Sequence, residues 1–175
     1  QELQTLNEER KVMTETGVEE AVSWIEREHA QEDAVLVIYL PDLHESLAGI
    51  VAGRIRERYY RPTLVLTDAR EGVKGSGRSI PEYSMYEKLS QCSDLLTRFG
   101  GHPMAAGFSL ERENISAFRR RLNELADLTP EDLTEKIMID VPMPLSYLRP
   151  DLIRQLERLE PFGNGNENPV FAQKG

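Results

Sequence analysis

Apolar and polar positions change period several times along the 175 residues, and each change marks an element. Val18, Ala21, Val22 and Ile25 recur at spacings of three and four, with Glu19, Glu20, Glu26 and Glu28 mostly opposite, which predicts an amphipathic helix. The stretch before it is highly charged with fewer apolar anchors. Residues 1–30 therefore read as two helical pieces broken near Thr16 and Gly17. Ala34 to Leu40, AVLVIYL, is a short apolar run rich in β-branched residues, the texture of a strand buried on both faces. From His44 to about Tyr60 a helix buries Leu47, Ile50, Val51 and Ile55, and Thr63 to Thr67 forms the next strand. This strand-helix-strand unit should be parallel and right-handed.

Val73 to Ile80 reads as a strand or an extended glycine-rich segment, and Tyr83 to Phe99 as mostly helical, with Met85, Leu89, Cys92, Leu96 and Phe99 in its apolar stripe. Ala105 to Leu110 is a strand of small residues. Glu113 to Leu128 is a helix on the spacing of Ile115, Phe118, Leu122 and Leu125. Lys136 to Pro142 alternates like a half-buried strand. After Pro144 a short helix carries Leu152, Ile153, Leu156 and Leu159, and Val170 to Ala172 forms a strand whose partners are expected outside the chain. The fold class that follows is α/β, with a mixed, largely parallel central sheet flanked by helices.

Charge changes this picture locally. The net charge is −9, which argues against a surface that binds nucleic acid everywhere. Yet residues 54–78 hold Arg54, Arg56, Arg58, Arg61, Arg70, Lys74 and Arg78 against Glu57, Asp68 and Glu71, a local excess of four positive charges. Such a patch in an acidic body focuses a polyanion at one place. Arg56 reads as part of a solvated helix face. No run of some 18 apolar residues predicts a membrane span, and the first residues lack the pattern of a signal peptide. The single cysteine, Cys92, reads as a structural thiol of a reducing, cytoplasmic compartment.

The candidate chemistry lies between Gly75 and Gly107, in two glycine-rich turns. Ser76, Arg78 and Ser79 in the first, and Gly100, Gly101 and His102 in the second, are suited to one anion-binding cleft. Arg54 and Arg61 could meet the same ligand from the neighbouring helix. GVKGSGRS falls one residue short of a phosphate loop, with Arg78 in the lysine position. Ile80-Pro81 denies it the helix that such a loop requires. What remains is a site for one phosphate or carboxylate, with Arg78 as a bidentate donor, or else a tight turn with Arg78 in a surface ion pair. His102, between Gly101 and Pro103, could hydrogen-bond an anion, donate a proton, or simply cap a turn. His44 reads as a helix cap, because Ala48 at the fifth position rules out the zinc motif H-E-x-x-H. The aspartates are scattered singly, so no metal site is expected within this chain.

HESLAGIVAGRIRERYYRPTLVL, KGSGRSI, LLTRFGGHPMAAGFSL and LEPFGNGNENPVF, in that order, resemble the C-terminal half of the RecJ family of single-stranded-DNA-specific 5′-to-3′ exonucleases. The resemblance covers about residues 30–175. It implies connector helices over residues 1–30, a DHH-associated substrate-binding domain over 31–143, and over 144–175 a linker and the start of a truncated oligonucleotide-binding barrel. It further implies that Ser76 and Arg78 hold a 5′-terminal phosphate, that His102 reaches the phosphate at a metal centre as the catalytic contact, and that Arg54 lines the same passage. The two Mn²⁺ or Mg²⁺ ions of the family would sit in a DHH domain preceding Gln1. The partners implied are single-stranded DNA and, for the parent enzyme, single-stranded-DNA-binding protein and a helicase. Two other readings stay open: the matching half of a DHH oligoribonucleotide or cyclic-dinucleotide phosphodiesterase, and an RNA-binding module like that of alanyl-tRNA synthetases.

Overall fold

A computed structural model describes residues 2–163 and 165–174. The chain divides into two compact units, residues 1–134 and 135–175. In the first unit, helix α1 (Glu2–Arg27) runs unbroken through Thr16 and Gly17. The expected break is absent because Gly17 serves a helix crossing. With Ala21 and Ile25 it forms a buried stripe four residues apart. A Cβ at Gly17 would lie 2.8 Å from Leu43 Cδ1 and 3.1 Å from Val51 Cγ2. Close packing offsets the roughly 0.5–1 kcal/mol that glycine costs inside a helix.

A five-stranded sheet has the spatial order β1 (Leu36–Tyr39), β2 (Thr63–Asp68), β3 (Val73–Arg78), β5 (Ala105–Leu110) and β4 (Leu96–His102). Only β1 and β2 are parallel, and the other three pairings are antiparallel. The largely parallel sheet expected from the sequence is therefore corrected to a mixed, mostly antiparallel one. Connection length is the reason. A parallel pair needs a crossover of a dozen or more residues, and the β1–β2 link supplies one in helix α2 (Ala48–Tyr59). Residues 69–72 turn β2 back into β3, closed by the Ala69 N–H donating to the Gly72 carbonyl at 3.1 Å. Only Pro103 and Met104 separate β4 from β5.

The segment from Tyr83 to Phe99 is a second correction. Helix α3 (Met85–Ser90) has six residues, a 3₁₀ turn spans Ser93–Leu95, and Leu96 opens β4. Leu96 and Phe99 pack on the same core as Met85, Leu89 and Cys92, but from a strand. A short apolar run does not distinguish strand from helix by its period.

Alternate sheet residues feed two cores. Leu36, Ile38 and Val65 pack under α1 and α2. Leu64, Leu66, Val73 and Phe108 pack under α3 and α4 (Ile115–Glu124). Asn123 of α4 clamps the start of β1: its Oδ1 accepts from the Val35 N–H at 3.0 Å and its Nδ2 donates to the Val35 carbonyl at 2.9 Å.

In the second unit, β6 (Val141–Pro142) pairs in parallel with β7 (Phe171–Ala172), so the expected orphan strand has its partner inside the chain. The Asp140 carboxylate supports the pair by accepting from the Val170 N–H at 2.8 Å. The strand expected over Lys136–Pro142 shrinks to two residues, and Ile137, Ile139 and Val141 are exposed. Helix α5 (Pro150–Leu156) starts on proline. No barrel closes among the described residues. No described helix is long and apolar enough to cross a membrane.

Candidate nucleic-acid interface

The glycines of GSGRS lie in β3, not in a turn, and they face the core. A Cβ at Gly75 would sit 2.3 Å from the Phe108 ring, and one at Gly77 would sit 3.0 Å from Met85. Strand alternation then sends Lys74, Ser76 and Arg78 to the opposite face. The same chain segment serves the core with one parity and the opposite sheet face with the other.

Register carries this alternation across three strands. Arg78 lies opposite Ala105, and Ala105 lies opposite His102. The next rung outward on the same face is Ser76, Gly107 and Gly100, and the third is Lys74, Ser109 and Arg98. Arg78 and His102 are thus two strand spacings apart, about 10 Å at about 4.8 Å per step. Helix α2 packs on β2 and β3 and stops there. Thr63, Val65 and Thr67 beneath it are fully buried, whereas Gly107, Gly100, Arg98 and His102 are exposed. The two motifs that the sequence places 20 residues apart therefore meet on one open sheet face with a glycine floor.

Arg78 lies across the first turn of α2, where its Nη2 would be 2.7 Å from a Cβ at Gly49, and its Nη1 donates to the Gly77 carbonyl at 2.8 Å. No carboxylate among the described residues lies within ion-pair distance of it. His102 sits at the hairpin mouth. Its Nδ1 accepts from the Met104 N–H at 3.3 Å, which leaves Nε2 directed to other uses. Gly101 beside it, at φ 150°, has no room for a side chain: a Cβ would lie 2.3 Å from the Ala105 carbonyl oxygen. Ser79 does not reach this face. It is buried, with its hydroxyl donating to the Tyr83 carbonyl.

Arg61 stands two residues before Thr63, the residue opposite Arg78, and so belongs to the Arg78 end of the sheet. Arg54 does not. It lies on the other flank of α2, with Glu57 3.7 Å away, in a groove of about 500 Å³ that it shares with Arg10, Lys11, Glu15 and Ile50. His44 is a cap, as expected: its Nδ1 accepts from the Ser46 N–H at 3.3 Å. It nevertheless lines a cleft of about 440 Å³ with Ser46, Lys74, Ser76, Gly107 and Ser109.

The DHHA1 domain family matches residues 32–127, and the RecJ OB domain family matches residues 139–175. The chain belongs to the RecJ family. Among curated relatives, the single-stranded-DNA-specific exonuclease RecJ of Bacillus subtilis is 38% identical over 96% of this chain and 22% of its own length. That of Escherichia coli is 33% identical over 97% of this chain and 31% of its own. The crystal structure of RecJ from Thermus thermophilus in complex with Mn²⁺ superposes with a TM-score of 0.85 and 34% identity, covering 98% of this chain and 25% of that one. The chain thus spans less than a third of the RecJ relatives named here.

The RecJ of T. thermophilus has been solved with Mg²⁺ and with Mn²⁺. The residues described here do not fit such an ion: no group of three or more His, Cys, Asp or Glu side chains is placed to hold a metal. Asp68, at the end of β2, accepts from the Tyr39 hydroxyl and from Arg112, and Glu45 is paired with Lys74. Cys92 is buried, and burial pushes its thiol up to about 11, which fits the structural role expected of it. Sequence reasoning missed Lys74, Arg98 and Ser109 as members of the face. Their signal was the strand register, which residue spacing does not carry.

Proposed function

We propose that this chain is the strand-holding part of a single-stranded-DNA-specific exonuclease, gripping a 5′-terminal backbone phosphate with Arg78, Ser76 and His102. The observation that carries the proposal is the shared register, which sets Arg78 and His102 on one rung of an open face with Ser76 one rung away. A planar guanidinium without a carboxylate partner is suited to bidentate phosphate contact. The RecJ relatives named above, which act on single-stranded DNA, supply the substrate class.

In this reading residues 31–143 form the substrate-binding domain and 144–175 lead into an oligonucleotide-binding domain. Hydrolysis belongs to a metal domain outside these residues, binding Mn²⁺ or Mg²⁺. The parent acts in the cytoplasm, beside single-stranded-DNA-binding protein and a helicase. Arg61 contributes long-range charge, and Arg54 and Ser79 make no contact with the terminal phosphate.

The test is the preference of the full-length protein for 5′-phosphorylated over 5′-hydroxyl single-stranded DNA. A hydrogen bond to a charged group contributes about 1.5–3 kcal/mol, so Arg78→Ala should lower the ratio of kcat/KM values about tenfold or more. An unchanged ratio overturns the proposal. The 175-residue chain alone should not degrade DNA with Mn²⁺, and degradation by a pure sample would place catalysis within it. Competition among single-stranded DNA, short RNA and tRNA should favour DNA.

A further inference from the structure

We infer a second anion subsite on the same sheet face, formed by Lys74, Arg98 and Ser109, that takes a later backbone phosphate of the same DNA strand. The inference rests on the phosphate grip proposed above. Lys74 lies opposite Ser109, and Ser109 lies opposite Arg98, so the three share one rung and one parity with Arg78 and His102. Four residues separate this rung from that of Arg78, about 14 Å at about 3.4 Å per residue, farther than one nucleotide step. Between the two cationic rungs lie Ser76, Gly107 and Gly100, whose small side chains leave space for sugar and base.

The charges at this end are not equivalent. Arg98 is exposed and has no carboxylate within ion-pair distance among the described residues. Lys74 is exposed too, but its Nζ is 2.8 Å from Glu45 Oε2. An exposed pair of this kind is weak, so a phosphate arriving beside Arg98 competes with Glu45 for Lys74. Asp68 is already held by Tyr39 and Arg112. Lys74, Arg98 and Ser109 share their cleft with Asp42, Glu71 and Glu111, and Arg70 is its remaining cation. Along the strands Glu71 and Glu111 lie beyond the rung of Lys74 and Ser109, so their negative charge limits the subsite to one phosphate.

The experiment measures affinities of this chain for 5′-phosphorylated oligothymidylates of one to six nucleotides at fixed ionic strength, with circular dichroism to confirm folding of each variant. Affinity should rise about tenfold between one and about three or four nucleotides, as charge-assisted contacts are added, and then level off. Arg98→Ala should abolish most of that rise while changing mononucleotide affinity less than about twofold. Glu45→Gln should steepen the rise, because Lys74 is released. If Arg98→Ala leaves the rise intact, or weakens all lengths equally, the second subsite is wrong. If mononucleotide binding is insensitive to Arg78→Ala, the terminal-phosphate reading fails instead, and the two failures are read from different lengths.

Discussion

At the scale of single residues, parity in β3 decides which side chains are structural and which are available. Gly75 faces the Phe108 ring at a distance no Cβ tolerates, while Ser76 faces the open side. Gly75→Ala should lower stability by about 1–3 kcal/mol, since overpacking a filled core forces side chains off their rotamers. Ser76→Ala should change it by no more than about 0.5 kcal/mol. Denaturant midpoints for the two variants check this, and equal losses would contradict the assignment of faces. Cys92 offers a second residue-scale prediction. Its thiol is raised to about 11 and buried, so an alkylating reagent at about pH 8 should leave the folded chain unmodified and label it on unfolding. Rapid labelling of the native chain would contradict the burial.

At the scale of elements, the strands and helices whose period is long or whose flanks are punctuated were legible in the sequence. β1, α2 and β2 have the order, type and parallel pairing expected of them. Residues 83–99 were not legible, because Leu96 and Phe99 meet the same core from a strand that a helix would have met from one face. Gly17 misled in the same way: a glycine is read as a breaker until the helix crossing it serves is seen. Asn123 is the element-scale device that no pattern reveals. It pins α4 to the β1 end of the sheet through both backbone groups of Val35. Asn123→Ala leaves those groups unsatisfied, which should cost about 1–3 kcal/mol. Hydrogen exchange at the Val35 amide should speed up more than at Val65 in the sheet interior. Uniform acceleration would mean that the clamp is not local.

At the scale of the whole molecule, a local cationic face sits in a chain of net charge −9. Such a distribution favours a polyanion at one place and disfavours it elsewhere, which suits the strand-holding role proposed above. The buried thiol also couples the fold to pH. Cys92 rises from an ordinary value of 9.0 to about 11 in the folded state, so the native chain retains a proton that the unfolded chain gives up. Stability from this source is complete below about pH 9 and is lost as pH rises through about 11. Tyr83, raised by burial, adds to the loss in the same direction. Thermal unfolding measured from about pH 8 to about pH 11 should show a steep decline, and Cys92→Ala should flatten it relative to its own value at the lower pH. An unaltered slope would remove Cys92 as a cause.

The sequence by itself determined part of the face, Ser76, Arg78, Gly100 and His102, together with the local excess of positive charge, the exclusion of a phosphate loop, and the family resemblance. Each of these is a property of residue type and of near neighbours, which the chain carries in one dimension. The tertiary structure decided that the two glycine motifs are strands and not turns, that most of the sheet is antiparallel, and that Lys74 and Arg98 join the face while Ser79 and Arg54 leave it. Those outcomes depend on register and on which face a helix covers. Both are set by pairings between residues tens of positions apart, where a shift of one residue would have turned every side chain of β3 to the other side.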